Sequence, residues 1–142
     1  MKTTGNKLNI LVVDDDENIR MILEKTLTKL GHHVSQAKSA EEALATLEHS
    51  YFNVVITDIQ MEEMTGIELL KEIKELNSIM QIFIITAHSN LPNVIQCMKN
   101  GAYDYFEKPL DLSEIITSVN EAARRVERWN TFYKKYSQIS QK

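Results

Sequence analysis

Short apolar runs alternate along the chain with stretches whose apolar positions recur every three or four residues. Leu8 to Val13 is apolar apart from Asn9, and Val54 to Ile56 and Ile82 to Ile85 are similar runs rich in β-branched side chains. Strands that are apolar on both faces belong to parallel sheets covered by helices. His33 to Ala37 and Tyr103 to Phe106 read as shorter, weaker strands.

Between these runs the period becomes helical. Ile19, Ile22, Leu23, Leu27 and Leu30 form one stripe, closed by Gly31 where a left-handed cap is favoured. Ser39 with Glu42, and Thr65 with Glu68, read as capping boxes, the second opening a helix that carries Ile67, Leu70 and Ile73. Asn90 is placed to cap a helix with Leu91, Val94, Ile95 and Met98, ended by Gly101. Asp111 and Glu114 open a last helix with Ile115, Val119, Ala122 and Val126. Five strands alternating with five helices predict an α/β fold with a parallel sheet and right-handed crossovers.

Composition narrows the class without changing it. At 142 residues, 43% apolar and 25% charged, the chain suits one globular domain. A net charge of −4 argues against direct nucleic-acid binding, and Arg124-Arg125 and Lys134-Lys135 read as solvated faces. The single cysteine, Cys97, has no partner for an internal disulfide and reads as an ordinary helix residue. The polar start, Met1 to Asn6, lacks the apolar core of a signal peptide, and no apolar run is long enough to span a bilayer. The expectation is a cytoplasmic protein that does not contact a membrane.

In open doubly wound sheets, ligands bind beyond the carboxyl ends of the strands. Asp14, Asp15 and Asp16 follow the first strand, Thr57-Asp58 ends the third, Thr86-Ala87 the fourth and Lys108-Pro109 the fifth. The second strand contributes no such group. Asp15 or Asp16 alone reads as a helix cap, Thr86 as a backbone satisfier and Lys108 as a solvated cation. Together they place carboxylates, a hydroxyl and an ammonium on one rim. Two carboxylates about 4 Å apart repel by roughly 4 kcal/mol at an effective dielectric of about 20, so their pKa values rise or a cation joins them. Oxygen donors suit a hard divalent ion such as Mg2+. No His/Cys cluster favours zinc, and no glycine-rich loop cradles a nucleotide.

Over roughly residues 8–128 the chain resembles the receiver domains of two-component response regulators. The matching strings are ILVVDDD at 10–16, VVITDIQM at 54–61, Gly66, IITA at 84–87 and DYFEKPL at 104–110. The resemblance implies a flavodoxin-like doubly wound five-stranded sheet of order 2-1-3-4-5, with helices on both faces. It also implies that Asp58 accepts a phosphoryl group from a histidine kinase or phosphotransfer protein. Mg2+ would be held by Asp15, Asp58 and the backbone carbonyl of Gln60, with Asp14 acting through a water. Lys108 and Thr86 would contact the phosphoryl group, and Tyr105 would turn inward as Thr86 moves. The Lys108–Pro109 bond is expected to be cis. Such a domain is a phosphoacceptor that assists its own phosphorylation and dephosphorylation, and not an enzyme.

Two features are particular to this sequence. Glu62 follows Met61 where many relatives have proline, adding acid near the rim beside Glu63. Gln60 and His88 stand two residues beyond Asp58 and Thr86, where the family tunes dephosphorylation. His32, His33 and His49 read as surface residues. The rival functions are an inert binding module of the same fold and a Mg2+-dependent phosphatase. The second rival lacks a carboxylate two residues after Asp58, where Gln60 stands.

The expected organisation is a disordered arm over 1–7, a receiver over 8–128 and a helical extension or tail over 129–142. The apolar spacing of the last helix continues through Val126, Trp129, Tyr133 and Tyr136. That spacing suits a helix docked on the domain or a short coiled coil in a homodimer, with a frayed tail as the third reading. The resemblance places output to a partner or output domain on the face of the fourth helix, fifth strand and fifth helix. The stretch DYFEKPLDLSEI is similar to nitrogen-regulator receivers. Ser118 and Asn120 replace the arginines usual in the winged-helix class.

Overall fold

The computed structural model describes residues 7–60, 64–87 and 91–140. Its elements run β1 (Asn9–Val13), α1 (Glu17–Lys29), β2 (His33–Ala37), α2 (Ala40–His49), β3 (Val54–Asp58), α3 (Gly66–Leu76), β4 (Gln81–Thr86), α4 (Leu91–Lys99), β5 (Asp104–Glu107) and α5 (Leu112–Ser140). The strands form one parallel sheet of order β2-β1-β3-β4-β5. Alternate residues of each central strand feed opposite cores. Leu11, Val13, Val55, Ile82 and Ile84 pack under α2, α3 and α4. Ile10, Val12, Ile56, Phe83 and Ile85 pack under α1 and α5. This explains the continuous apolar runs, because neither face of the central strands β1, β3 and β4 meets water.

The caps follow the sequence closely. The Asp16 side chain accepts from the Asn18 N–H at 2.9 Å and starts α1. Ser39 caps α2 through the Glu42 N–H, and Thr65 and Glu68 form a reciprocal capping box at α3. Gly31 (φ 95°) and Gly101 (φ 97°) take the left-handed conformation that side chains resist. The Lys108–Pro109 peptide is cis.

Three expectations need correction. Ile22 is exposed, so the buried stripe of α1 is narrower than its apolar spacing. On α4, Val94 and Cys97 are buried while Ile95 and Met98 face outward, because only one side of that helix meets the sheet. His32 is buried, not at the surface: its Nδ1 accepts the N–H of Leu8 at 3.0 Å and secures the start of β1. Cys97 lies in the core, where burial pushes its thiol up to about 11.

α5 continues to Ser140. Beyond Val126 its apolar side chains leave the core, and Trp129, Phe132, Tyr133 and Tyr136 are exposed. No helix among the described residues is long and apolar enough to cross a membrane. The expectations for residues 1–6, the Met61–Glu63 stretch, His88, the Asn90 cap and residues 141–142 fall outside the described residues.

Candidate functional site

The carboxyl ends of β1, β3, β4 and β5 converge as the topology requires. One carboxylate oxygen from each of Asp14, Asp15 and Asp58 lies within 4.8 Å of the others. Asp14 and Asp58 are buried, whereas Asp15 is exposed at the mouth. Asp16 points elsewhere, into its helix cap. The sheet brings Lys108 across from β5, with Nζ 3.0 Å from Asp58 Oδ2 and 3.1 Å from Asp14 Oδ2.

Backbone donors hold the same carboxylates from the other side. Asp14 Oδ1 accepts the Asp16 N–H at 2.8 Å, and Asp58 Oδ1 accepts the Gln60 N–H at 3.1 Å. Burial raises the pKa of Asp14, and the negative charge of Asp58 adds to the rise; the Asp16 N–H and the Lys108 ammonium pull it back. At Lys108 burial is the largest influence and lowers the pKa, but the hydrogen bond and charge of Asp58, with the charge of Asp14, together raise it. One ammonium therefore serves two carboxylates, and among the described residues no ion pair reaches the third.

Thr86 is buried at the end of β4, where its hydroxyl donates to the Ala87 carbonyl at 3.0 Å. Tyr105, on the neighbouring strand, is exposed. Gly66 begins α3 with its N–H donating to the Ile59 carbonyl at 2.9 Å. A Cβ at this position would stand 2.5 Å from the Asp58 carbonyl oxygen and 2.7 Å from Ile59 Cα. Only glycine lets α3 approach the Asp58 backbone this closely.

Arg20 escaped the sequence reading. From α1 its Nη1 donates to the Asp14 carbonyl at 2.7 Å, while its Nε donates to Gln36 Oε1 at 3.0 Å. The second strand, which supplies no group to the rim itself, thus braces it through Gln36. An arginine on a half-polar helix carries no local mark of such a role.

A hard-cation site is what this donor set fits. Three carboxylates with one shared ammonium retain net negative charge, and oxygen donors at this spacing suit Mg2+ with part of its water shell. An acidic rim at the carboxyl edge of a 2-1-3-4-5 sheet, with a buried aspartate facing a lysine, defines the class to which this domain belongs.

The family model for the response regulator receiver domain matches residues 10–120. The chain is 40% identical over 119 residues to the transcriptional regulatory protein ZraR of Klebsiella oxytoca, covering 84% of this chain and 27% of that protein. It is 38% identical to the DNA-binding transcriptional regulator NtrC of Klebsiella pneumoniae, covering 78% of this chain and 24% of that one. A receiver domain structure from Clostridium thermocellum superimposes with a TM-score of 0.80 at 34% identity, covering 85% of this chain and 98% of that one. NtrX from Brucella abortus superimposes with a TM-score of 0.81 at 29% identity, over 94% of this chain and 30% of that one. The chain belongs to the response regulator receiver domain family of two-component signal transduction, and its similarity is to the NtrC-like subtype. It spans about a quarter of the length of the curated relatives it matches.

Proposed function

We propose that this domain accepts a phosphoryl group on Asp58 from a histidine kinase or phosphotransfer protein and switches conformation in response. The observation that carries this reading is the Asp14–Asp15–Asp58 cluster with Lys108 bonded to Asp58. A carboxylate oxygen of Asp58 attacks phosphorus, the P–N bond to the donor imidazole breaks, and an acyl phosphate remains. The new group adds about two negative charges. Lys108, already beside Asp58, moves its ammonium onto the phosphoryl oxygens. Asp14, Asp15, Asp58 and the Gln60 carbonyl would hold Mg2+, which when bound supplies charge neutralisation for the transferring group. Gln60 and His88 would tune the return hydrolysis.

The switch draws on the same contacts. Thr86 would exchange its bond to the Ala87 carbonyl for one to the phosphoryl group, vacating space for the ring of Tyr105. Hydrogen bonds to charged groups are worth roughly 1.5–3 kcal/mol each. Two of them approach the roughly 5.5 kcal/mol that moves a population from 1:99 to 99:1. Ile95 and Met98 on α4 and Tyr105 on β5 are exposed, which supports a signalling face formed by α4, β5 and α5. Its reader is an output domain or partner protein.

The test is incubation with acetyl phosphate and Mg2+, followed by intact-mass measurement. A single added phosphoryl group, absent from Asp58→Asn, is expected. No adduct under conditions that label another receiver would leave an inert binding module. Steady turnover of phosphate esters would instead indicate a phosphatase.

A further inference from the structure

Asp15 joins the acidic cluster without any support for its own side chain. It is exposed at the mouth of the rim, and among the described residues no hydrogen bond or ion pair orients its carboxylate. Its placement therefore rests on the two peptide planes that flank its Cα. Because each plane is rigid, their orientations set φ and ψ and with them the direction in which the side chain leaves the backbone.

Both planes are held. On one side of Asp15 the Asp16 N–H donates to Asp14 Oδ1 at 2.8 Å. On the other side the Asp14 carbonyl accepts from Arg20 Nη1 at 2.7 Å. The Asp14 N–H donates to the Ala37 carbonyl at 3.2 Å, but β1 ends at Val13, so the Asp14 carbonyl lies beyond the ladder and takes its donor from Arg20. Asp14 is buried, and a buried carbonyl that loses its donor is costly.

Arg20 reaches this carbonyl from the first turn of α1. Its N–H donates to the Asp16 carbonyl at 3.2 Å, one turn beyond the cap, and helical side chains lean back toward the amino terminus. The guanidinium is itself anchored, because Nε donates to Gln36 Oε1 at 3.0 Å and Gln36 stands opposite Val12 in the β1–β2 register. A planar fork bonded at both Nε and Nη1 keeps one orientation.

We propose that Arg20 is a positioning residue for Asp15, with Gln36 as its anchor, and that the pair sets the affinity of the rim for Mg2+. The inference rests on the reading of the rim as a Mg2+ site. Its sign is opposite to that of charge alone. A guanidinium beside an acidic cluster repels a divalent cation, so by that effect its removal tightens binding. Loss of a group that supports a metal ligand weakens binding, commonly by about ten- to a hundredfold. Gln36 carries no charge, so its replacement isolates the second effect.

The experiment is calorimetric titration with Mg2+ of the full chain, Gln36→Met, Arg20→Lys and Arg20→Met. It is paired with labelling by acetyl phosphate over a series of Mg2+ concentrations. Arg20→Met should weaken Mg2+ binding by roughly tenfold. Gln36→Met should weaken it less. Arg20→Lys should fall between the parent and Arg20→Met, since an ammonium keeps a donor for the carbonyl without the planar fork. The Mg2+ concentration for half-maximal labelling should rise by the same factor as the dissociation constant, and the rate at saturating Mg2+ should return to that of the parent. Urea midpoints measured without Mg2+ register any loss of folding separately. A bond that is merely structural lowers the midpoint and leaves half-saturation unmoved, which overturns the proposal. Parental Mg2+ affinity in both Gln36→Met and Arg20→Met overturns it and leaves the rim a metal site. Tighter binding in Arg20→Met with no change in Gln36→Met also overturns it, since Arg20 then acts only as a repelling charge. A parent chain that binds no Mg2+ overturns it together with the reading on which it rests. Gln36→Met, which leaves the guanidinium in place, decides the matter if Arg20→Met does not fold.

Discussion

Lys108 Nζ sits 3.0 Å from Asp58 Oδ2, although the two residues are fifty apart in the chain. The same nitrogen is 3.1 Å from Asp14 Oδ2. A single cation thus competes with any metal for two of the three carboxylates. Lys108→Gln should therefore raise Mg2+ affinity, by about tenfold if the change is worth about 1.4 kcal/mol. It should also slow labelling by acetyl phosphate, since the phosphoryl oxygens lose their ammonium. Calorimetric titration and a labelling time course read the two effects, and weaker Mg2+ binding in the variant would contradict this account of the rim.

Gly66 links the packing of α3 to the position of Asp58. A methyl group there meets backbone atoms at 2.5 and 2.7 Å, and backbone cannot rotate away as a side chain can. Gly66→Ala should destabilise the domain by about 1–3 kcal/mol, the usual range for overpacking. It should also reduce phosphoryl acceptance beyond what unfolding explains. Urea denaturation and labelling measured well below the midpoint separate these losses. A variant with parental stability would show that the β3–α3 loop yields more easily than the contact implies.

His32 gives the fold a dependence on pH. Burial lowers its pKa from the ordinary value near 6.5, and the charge of adjacent His33 lowers it further. The unfolded chain takes up this proton first as pH falls. The contribution of neutral His32 is therefore full above about pH 6.5 and declines as pH drops toward the lowered folded value. Asp14 contributes with the opposite sign, because burial raises its folded pKa. Urea midpoints at pH 8 and pH 5.5 should differ more for the parent than for His32→Asn, which retains a hydrogen-bond acceptor. Equal differences would mean that the imidazole takes up its proton alike in the folded and unfolded chain, contrary to the effect of its burial.

The sheet was legible because its strands are apolar on both sides, a pattern with few other solutions in a chain of this size. The rim was legible for a related reason: Asp14 and Asp15 follow directly on such a strand, Asp58 and Thr86 end two others, and Lys108 follows the shorter β5. What sequence concealed depends on distance through space. Arg20 works on a backbone carbonyl, which leaves no trace in the identity of its target. His32 sits in a turn that reads as polar surface, yet its acceptor faces the N–H of Leu8 twenty-four residues away. Ile95 and Met98 complete the apolar spacing of α4 but stand outside the core, because spacing records which residues share a face and not what that face meets. The same gap separates the visible stripe of α5 from knowledge of what covers it.

Calorimetric titration with Mg2+ at neutral pH, on the parent, Asp15→Ala and Asp16→Ala, tests the acidic rim most directly. One ion per chain is expected in the parent, with affinity reduced at least tenfold in Asp15→Ala, since each lost factor of ten is about 1.4 kcal/mol of coordination. Asp16→Ala should bind normally, because that side chain caps α1 and does not join the cluster. Unchanged affinity in Asp15→Ala, or no binding by the parent, would contradict a metal held beside Asp58.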